Sequence, residues 1–211
     1  IVTREVSLVI DYLARNLSHV HCYEVDVSAN EMQLKFSRLI NEEIKNKQAG
    51  KPAYILIKIN HITDPVMVKK LYEASSHGVR IDLLVRGNCS LITGVPGVSD
   101  TIRINGIIDR YLEHSRIFIF ANGGDEKMFI GSADWMPRNL DNRVEVIAPV
   151  YDPEIKADLK RVVEYGLKDT LQGRVVDGTG ENRPWISEDK TAFRSQEELY
   201  KYYLNENRIK D

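Results

Sequence analysis

A run of polar residues between Glu113 and Arg143 contains the side chains that phosphoryl chemistry requires. His114 stands two residues before Arg116, and the alternation of side chains along a strand places both on one face. An imidazole can attack a phosphoryl group or donate to its oxygens, and a guanidinium neutralises the charge on those oxygens. This pairing predicts a phosphate-handling site at His114. The other histidines lack such neighbours and are interpreted as ordinary surface or core residues: His19, His21, His61 and His77.

A turn with the sequence Gly-Ser-Ala-Asp, residues 131–134, follows the histidine segment, and Arg138 and Arg143 come after it. Each of these arginines could bind phosphate, or could pair with a nearby carboxylate of Asp134, Asp141 or Glu145. Ser132 fits a hydrogen-bonding turn residue better than a nucleophile, because no Ser-His-Asp spacing of a hydrolase accompanies it. The turn therefore adds polar groups near His114 without a nucleophile of its own.

Two apolar strands joined by a helix are predicted upstream of this polar run. AYILIKI, residues 53–59, and VRIDLLV, residues 79–85, have the composition of buried strands. The helix between them begins at Asp64-Pro65, a capping side chain before a proline, and ends at Gly78. Such a βαβ unit implies neighbouring parallel strands and a right-handed crossover.

Polar residues follow both of these strands. Asn60 and Arg86 occupy the carboxyl ends, where ligands of such sheets gather, so we expect both near a bound ligand. Two plainer interpretations stay open, since Asn60 could cap a turn and Arg86 could be a solvated strand end. Lys58, inside the first strand, needs a carboxylate or a phosphate as its partner because an unpaired buried ammonium is costly.

The remaining elements are predicted from periodicity, capping residues and turn signals. The first is an opening helix with one apolar face, formed by Val6, Val9, Ile10 and Leu13. The second is a helix capped by Asn30, whose apolar face is formed by Met32, Phe36, Leu39, Ile40 and Ile44. Further along the chain we expect a hairpin of residues 116–120 and 127–131, a strand at residues 143–150, and helices at residues 152–168 and 195–204. The loop of residues 87–100 is long enough to be functional. These elements predict an α/β fold.

Composition excludes several classes of protein. With 211 residues, 43% hydrophobic and 28% charged, the chain is globular rather than disordered or collagen-like. A net charge of −2 excludes a protein that is basic all over, while a local basic patch stays open. The two cysteines, Cys22 and Cys89, are too few for a disulfide framework or a cysteine metal site. The first residue is Ile1 rather than methionine, and we therefore expect a segment of a longer protein.

These motifs resemble two related patterns. His-x-Arg followed by Gly-Ser-x-Asp is similar to the phospholipase D superfamily, in which His-x-Lys precedes a Gly-Ser-x-Asn turn and two such half-sites face each other. Longer strings resemble the long-chain polyphosphate kinase family that works through a phosphohistidine, from about residue 3 to residue 169. They are LYEASSHGVRIDLLVRG, LLVRGNCSLITGVPGVSD and YLEHSRIFIFANGGDEKMFIGSADWMPRNLDNRVEVIAPV.

The second resemblance implies a reversible transfer of the terminal phosphate of ATP to inorganic polyphosphate. It implies a phospholipase D-like mixed sheet flanked by helices, and residues 1–211 would form the last of four regions, the C-terminal catalytic domain. We expect leading helices in residues 1–50, an α/β core in residues 51–169 and an extension in residues 170–211. The phosphoacceptor histidine and the groups that bind Mg²⁺ with ATP belong to the preceding domain of that family, so no metal ligand is expected in this chain.

The resemblance also implies roles for individual residues. His114 matches a second histidine of the active site and Arg86 an arginine that contacts nucleotide phosphates. With them we expect Arg116, Arg138 and Asn60 to bind ATP or phosphate. Ser132, Asp134 and Arg143 are expected to support the site. One departure from the family pattern falls at residues 28–30, where a phosphate contact is expected to be missing.

The implied partners are ATP and ADP, inorganic polyphosphate and the preceding catalytic domain of the same chain. The full-length enzyme is expected to be a homo-oligomer in the cytoplasm, peripheral to the inner face of the membrane, with no nucleic acid partner. A transmembrane segment is not expected, since no apolar run reaches the roughly 18 residues that a span requires.

Two other functions remain as alternatives. One is a phospholipase D-like phosphodiesterase whose site assembles from two half-sites in a dimer, and the other is a non-catalytic phosphate-binding or nucleotide-binding module. Arg116 at the lysine position and Asp134 at the asparagine position both favour the kinase over the phosphodiesterase.

Overall fold

A computed structural model describes residues 2–15, 25–27, 31–187 and 191–208, and its centre is an eight-stranded mixed sheet. The strands are β1 (Asp26–Val27), β2 (Tyr54–Ile59), β3 (Arg80–Val85), β4 (Ile102–Ile107), β5 (Ile117–Phe120), β6 (Lys127–Gly131), β7 (Val146–Pro149) and β8 (Gly173–Val175). The helices are α1 (Val2–Arg15), α2 (Glu31–Gln48), α3 (Pro65–Ser76), α4 (Pro153–Lys168) and α5 (Ser195–Arg208). The predicted mixed sheet flanked by helices is confirmed.

The strands lie in the order β1-β7-β6-β5-β2-β3-β4-β8. The predicted parallel pair is confirmed, because β2 runs parallel to β3, with Ile57 opposite Leu83. The predicted hairpin is also confirmed as β5 and β6, which are antiparallel, and the predicted strand after it forms β7. The βαβ unit and the hairpin meet where β2 pairs antiparallel with β5, so the segment that holds His114 lies beside the end of β2.

The sequence prediction omitted β4, which lies between β3 and β8. Its sequence IRINGI is interrupted by Asn105 and Gly106, so the apolar run that signals a buried strand is broken. Asn105 is buried and donates to the carbonyl of Gly166 at the end of α4, at 3.0 Å. Pairing with β3 and β8, rather than local propensity, therefore defines this strand.

The predicted helices α2, α3 and α4 are confirmed. Asp64 caps α3 by accepting the amide of Met67 at 2.9 Å, and Asp152 caps α4 by accepting the amide of Glu154 at 2.9 Å. The five apolar residues predicted on one face of α2 are all buried. Its predicted cap, Asn30, lies outside the described residues. No described helix is both long and apolar enough to cross a membrane.

Helices cover both faces of the sheet. On one face α2 packs against β5, where the Phe36 ring lies 4.6 Å from that of Phe118 and 5.1 Å from that of Trp135, between ring centres. On the other face α4 packs so closely that a Cβ on Gly166 would lie 2.5 Å from Leu84 Cδ1. Trp135 is fully buried, and its burial fixes the neighbouring Asp134 at the end of β2.

Candidate active site

The carboxylate of Asp134 is the centre of the candidate site. Its Oδ1 accepts the backbone amides of Asn60 at 3.0 Å and of His61 at 3.3 Å, as well as the side-chain amide of Asn60 at 3.1 Å. Arg116 binds the same carboxylate with two nitrogens, Nε to Oδ1 at 3.2 Å and Nη2 to Oδ2 at 3.1 Å. Asp134 is 6% exposed, so the turn of residues 131–134 is tied to the end of β2 from within the protein.

The surroundings of Asp134 favour its ionised form. Burial of the carboxyl group raises its pKa, but the hydrogen bonds and charge of Arg116 and the bonds from Asn60 lower it by more. The pKa of Asp134 therefore lies below its usual range, and the ion pair with Arg116 is complete at neutral pH.

Arg116 connects this carboxylate to His114. Its Nη1 lies 3.1 Å from His114 Nδ1 and donates to the His114 carbonyl, also at 3.1 Å. The two side chains meet, but β5 begins only at Ile117, so both residues precede the strand and the predicted strand alternation does not explain their contact. A guanidinium can only donate, so Nδ1 of His114 accepts and the proton of the neutral ring lies on Nε2. Because His114 is exposed, this Nε2–H group is available to a ligand.

Asn60 connects the same carboxylate to Arg86. Arg86 Nε donates to Asn60 Oδ1 at 2.6 Å, while the Asn60 side-chain nitrogen donates to Asp134. Asn60 is 1% exposed and does not cap the following turn with its side chain, so it holds Arg86 in place. Arg86 is half-buried, and its terminal nitrogens Nη1 and Nη2 form no hydrogen bond with a described residue.

Gly87, the residue after Arg86, allows the ends of β2 and β3 to meet. A Cβ at this position would lie 2.3 Å from Cε1 of His61 and 2.9 Å from the carbonyl oxygen of Asn60. The Gly87 amide donates to that carbonyl at 2.9 Å, and the Asn88 amide donates to His61 Nδ1, also at 2.9 Å. His61 is therefore a structural residue, as the sequence prediction interprets it.

Ser132 belongs to an adjacent group of hydrogen bonds. Its hydroxyl donates to Glu145 Oε2 at 2.5 Å and accepts the amide of Val146 at 3.0 Å. Asn139 donates to the other oxygen of Glu145 at 2.5 Å. Ser132 thus joins the turn to β7, as a turn residue would. The sequence suggests Glu145 only as a partner for an arginine, and this role is not predicted from it.

Arg138 and Arg143 lie at the two ends of one irregular turn. Arg138 begins a π-helical turn, Arg138–Asn142, and Arg143 follows it directly. Both are exposed. The guanidinium bound to Asp134 is that of Arg116, so Arg138 and Arg143 are outside the network that joins Arg86 to His114.

The structure identifies the partner of Lys58 as a carboxylate. Lys58 is 8% exposed and forms an ion pair with Glu113, the residue before His114. Gln196, at the start of α5, donates to Glu113 Oε1 at 2.9 Å and to the Tyr111 carbonyl at 2.8 Å, and it accepts the Tyr111 amide at 2.9 Å. The lysine inside an apolar strand predicts a carboxylate or a phosphate as its partner, but the sequence does not identify Glu113 as that carboxylate or Gln196 as its second partner.

The described residues of the site do not fit a metal ion. No group of three or more His, Cys, Asp or Glu side chains among them could hold one. The central carboxylate, that of Asp134, is already bound by Arg116 and Asn60. The described residues of this site therefore provide no ligand set made of protein groups alone. The predicted departure at residues 28–30 lies outside the described residues, as do His19 and His21.

Comparison with known proteins gives one consistent family. Residues 25–196 match the family model described as "Polyphosphate kinase C-terminal domain 2". A curated protein named polyphosphate kinase, from Vibrio parahaemolyticus, is 40% identical over 204 residues, which cover 97% of this chain and 29% of that protein. The chain thus spans less than a third of the length of that relative.

A solved structure agrees with the sequence comparison. The crystal structure of polyphosphate kinase from Porphyromonas gingivalis matches 97% of this chain and 32% of its own, with a TM-score of 0.90 and 36% sequence identity. A phospholipase D family member from Salmonella typhimurium matches 73% of this chain and 98% of its own, with a TM-score of 0.49 and 15% identity.

Proposed function

The chain belongs to the polyphosphate kinase family, and on that premise we propose that residues 1–211 form the C-terminal catalytic domain of such an enzyme. The enzyme would transfer the terminal phosphate of ATP reversibly to inorganic polyphosphate through a phosphohistidine. The observation that supports this most directly is the network that joins Arg86, Asn60, Asp134, Arg116 and His114 at one edge of the sheet. It holds two hydrogen-bond donors for phosphate, a guanidinium and an imidazole, in fixed relation to each other.

In the proposed reaction the bond between the terminal phosphorus of ATP and the bridging oxygen of ADP breaks, and a bond from that phosphorus to a histidine nitrogen forms. An oxygen at the end of polyphosphate then attacks the same phosphorus, and the P–N bond breaks. Negative charge on the phosphoryl oxygens is present throughout, so catalysis requires positioned cations and donors. Arg86 Nη1 and Nη2 and His114 Nε2–H are the groups that this chain would offer.

We propose that His114 is a donor to phosphate and not the nucleophile. Its Nδ1 accepts from Arg116, so its free nitrogen, Nε2, carries a proton and has no lone pair for attack. The nucleophilic histidine would then lie in the preceding domain, outside this chain. Arg116, with Asp134, would hold the His114 ring in this orientation, and Asn60 would do the same for Arg86.

The other predicted site residues lie outside the network that joins Arg86 to His114, and we propose supporting roles for them. Arg138 and Arg143 are exposed beyond the turn and would bind phosphates that extend past the network. Ser132 would support the turn through Glu145. The phosphodiesterase alternative is not favoured, because Arg116 and Asp134 form an ion pair where that superfamily has a lysine and an asparagine.

Mg²⁺ would enter with ATP, and its protein ligands would belong to the preceding domain, as the family resemblance implies. ATP or ADP, polyphosphate and that domain would be the partners of this chain. The full-length enzyme would be a homo-oligomer in the cytoplasm, where ATP is abundant.

The test is ATP-dependent polyphosphate synthesis by the full-length enzyme with His114→Ala. Removal of a positioned donor to the transferred group lowers kcat by about 100-fold or more. His77→Ala is the matched control, because His77 is exposed at the end of α3, where its Nδ1 lies 2.8 Å from the Glu73 carbonyl oxygen and 3.4 Å from the Ser76 hydroxyl. Full activity of His114→Ala would refute a catalytic contribution from this domain.

A further inference from the structure

A cavity of about 360 Å³ lies next to the candidate active site. Arg86 forms part of its wall, and Arg174 of β8 forms another part. Gln172 and Asn182 add two side-chain amides. The volume is within the range of small-molecule sites, roughly 300–1,000 Å³.

The two arginines of this cavity are not neutralised by carboxylates of the described chain. Arg174 Nη1 donates to the Gly173 carbonyl at 2.7 Å, and Arg86 Nε donates to Asn60. Neither takes part in an ion pair among the described residues, and the described residues that line the cavity include no Asp or Glu. By contrast, many other arginines of the chain lie in ion pairs: Arg15, Arg80, Arg103, Arg116, Arg161, Arg183 and Arg194. Two unneutralised cations on one wall favour an anion.

The strand pairing keeps Arg174 at this position. Arg174 lies opposite Gly106 in the antiparallel pair of β4 and β8. A Cβ on Gly106 would lie 2.9 Å from Val176 Cγ2 and 3.2 Å from the Val85 carbonyl oxygen, so a larger residue would force β8 away from β3. The glycine therefore brings Arg174 to the same cavity as Arg86.

We infer that this cavity binds phosphate groups of the polyphosphate chain at a distance from the reacting phosphate, with Arg174 as their cation. The inference rests on the proposed function. Arg86 belongs both to the active-site network and to the cavity wall, so a chain of phosphates held at Arg86 can continue to Arg174. The described lining residues include no aromatic ring on which a nucleotide base could stack, which favours a phosphate chain over a nucleotide.

The first test is the steady-state kinetics of the full-length enzyme with Arg174→Gln. Loss of one charge-assisted hydrogen bond raises KM for polyphosphate by about tenfold, while kcat and KM for ATP stay unchanged. Arg174→Lys keeps the charge and restores most of the affinity. Arg4→Gln is the control for the loss of a positive charge, because Arg4 is exposed on α1, away from the cavity.

The second measurement is calorimetric binding of inorganic tripolyphosphate, which does not depend on turnover. The inference predicts about tenfold weaker binding by Arg174→Gln than by the wild type. Equal binding, or a rise in KM for ATP instead of polyphosphate, overturns it. A wild-type enzyme that makes no polyphosphate overturns the proposed function, whereas an active wild type with an unchanged Arg174→Gln variant overturns only this inference. Equal thermal unfolding midpoints show that the variant is folded.

Discussion

Asp134 joins its own turn to two other parts of the chain with one carboxylate. It accepts hydrogen bonds from the end of β2 and from the guanidinium of Arg116, and it follows Ser132 in the turn after β6. Arg116 in turn contacts His114, and Asn60 contacts Arg86. The orientation of both proposed phosphate donors therefore depends on Asp134, although it touches no ligand itself.

Asp134→Asn tests this role at the scale of one residue. The amide cannot neutralise Arg116, so a buried cation loses its partner and we expect the free energy of unfolding to fall by about 3 kcal/mol at pH 7. The pKa of Asp134 is below the usual 3.8, so its contribution is complete above that pH and is lost as the pH falls through the lower folded value.

The measurement is denaturant unfolding of wild type and variant between pH 7 and pH 3. We expect the difference between them to shrink as the pH falls, because protonated Asp134 resembles asparagine. Asp141→Asn is the control, since Asp141 is exposed in the π-helical turn. A difference that stays constant over this range would contradict the ion pair as the source of the stability.

At the scale of elements, local signals were sufficient for the parts of the fold that form from consecutive residues. The apolar face of α2, the Asp64 cap of α3 and the hairpin of β5 and β6 were all predicted from spacing and turn residues. The positions of Asn60 and Arg86 followed from the parallel pair of β2 and β3. The ends of these strands can be predicted because each apolar run is continuous in the sequence and stops at a polar residue.

Contacts between distant segments could not be predicted in this way. Gln196 binds Glu113 from 83 residues away, and no periodicity reports such a pair. Arg174 was missed for the same reason, since it reaches the cavity only through the pairing of β8 with β4. The sequence also could not show that Asp134 pairs with Arg116 rather than with Arg138 or Arg143, because that choice depends on tertiary packing.

Gln196→Ala tests the link between α5 and the segment before His114. Three hydrogen bonds are lost and Glu113 keeps only Lys58, so we expect unfolding free energy to fall by about 1–3 kcal/mol. The same change would lower kcat of the full-length enzyme, because the residue before His114 is released. Glu198→Ala on α5 is the control, as its partner Lys201 lies on the surface. Unchanged stability and activity would show that α5 does not position this segment.

For the whole molecule, the net charge of −2 hides an uneven distribution. Several described carboxylates near the sheet are paired with cations, as Asp82 is with Arg80 and Arg103. Arg86 and Arg174 have no such partner among the described residues, so positive charge remains at one edge of the sheet. A protein with slight negative charge overall can therefore present a local site for a polyanion.

We propose that this chain contributes donors to a phosphotransfer site whose nucleophile lies elsewhere in the enzyme. The most direct test is to label the full-length enzyme with ATP carrying a radioactive terminal phosphate, digest it under alkaline conditions and map the phosphohistidine. We predict a labelled peptide from outside residues 1–211, and slower labelling in His114→Ala than in His77→Ala. A labelled peptide that contains His114 would contradict the account.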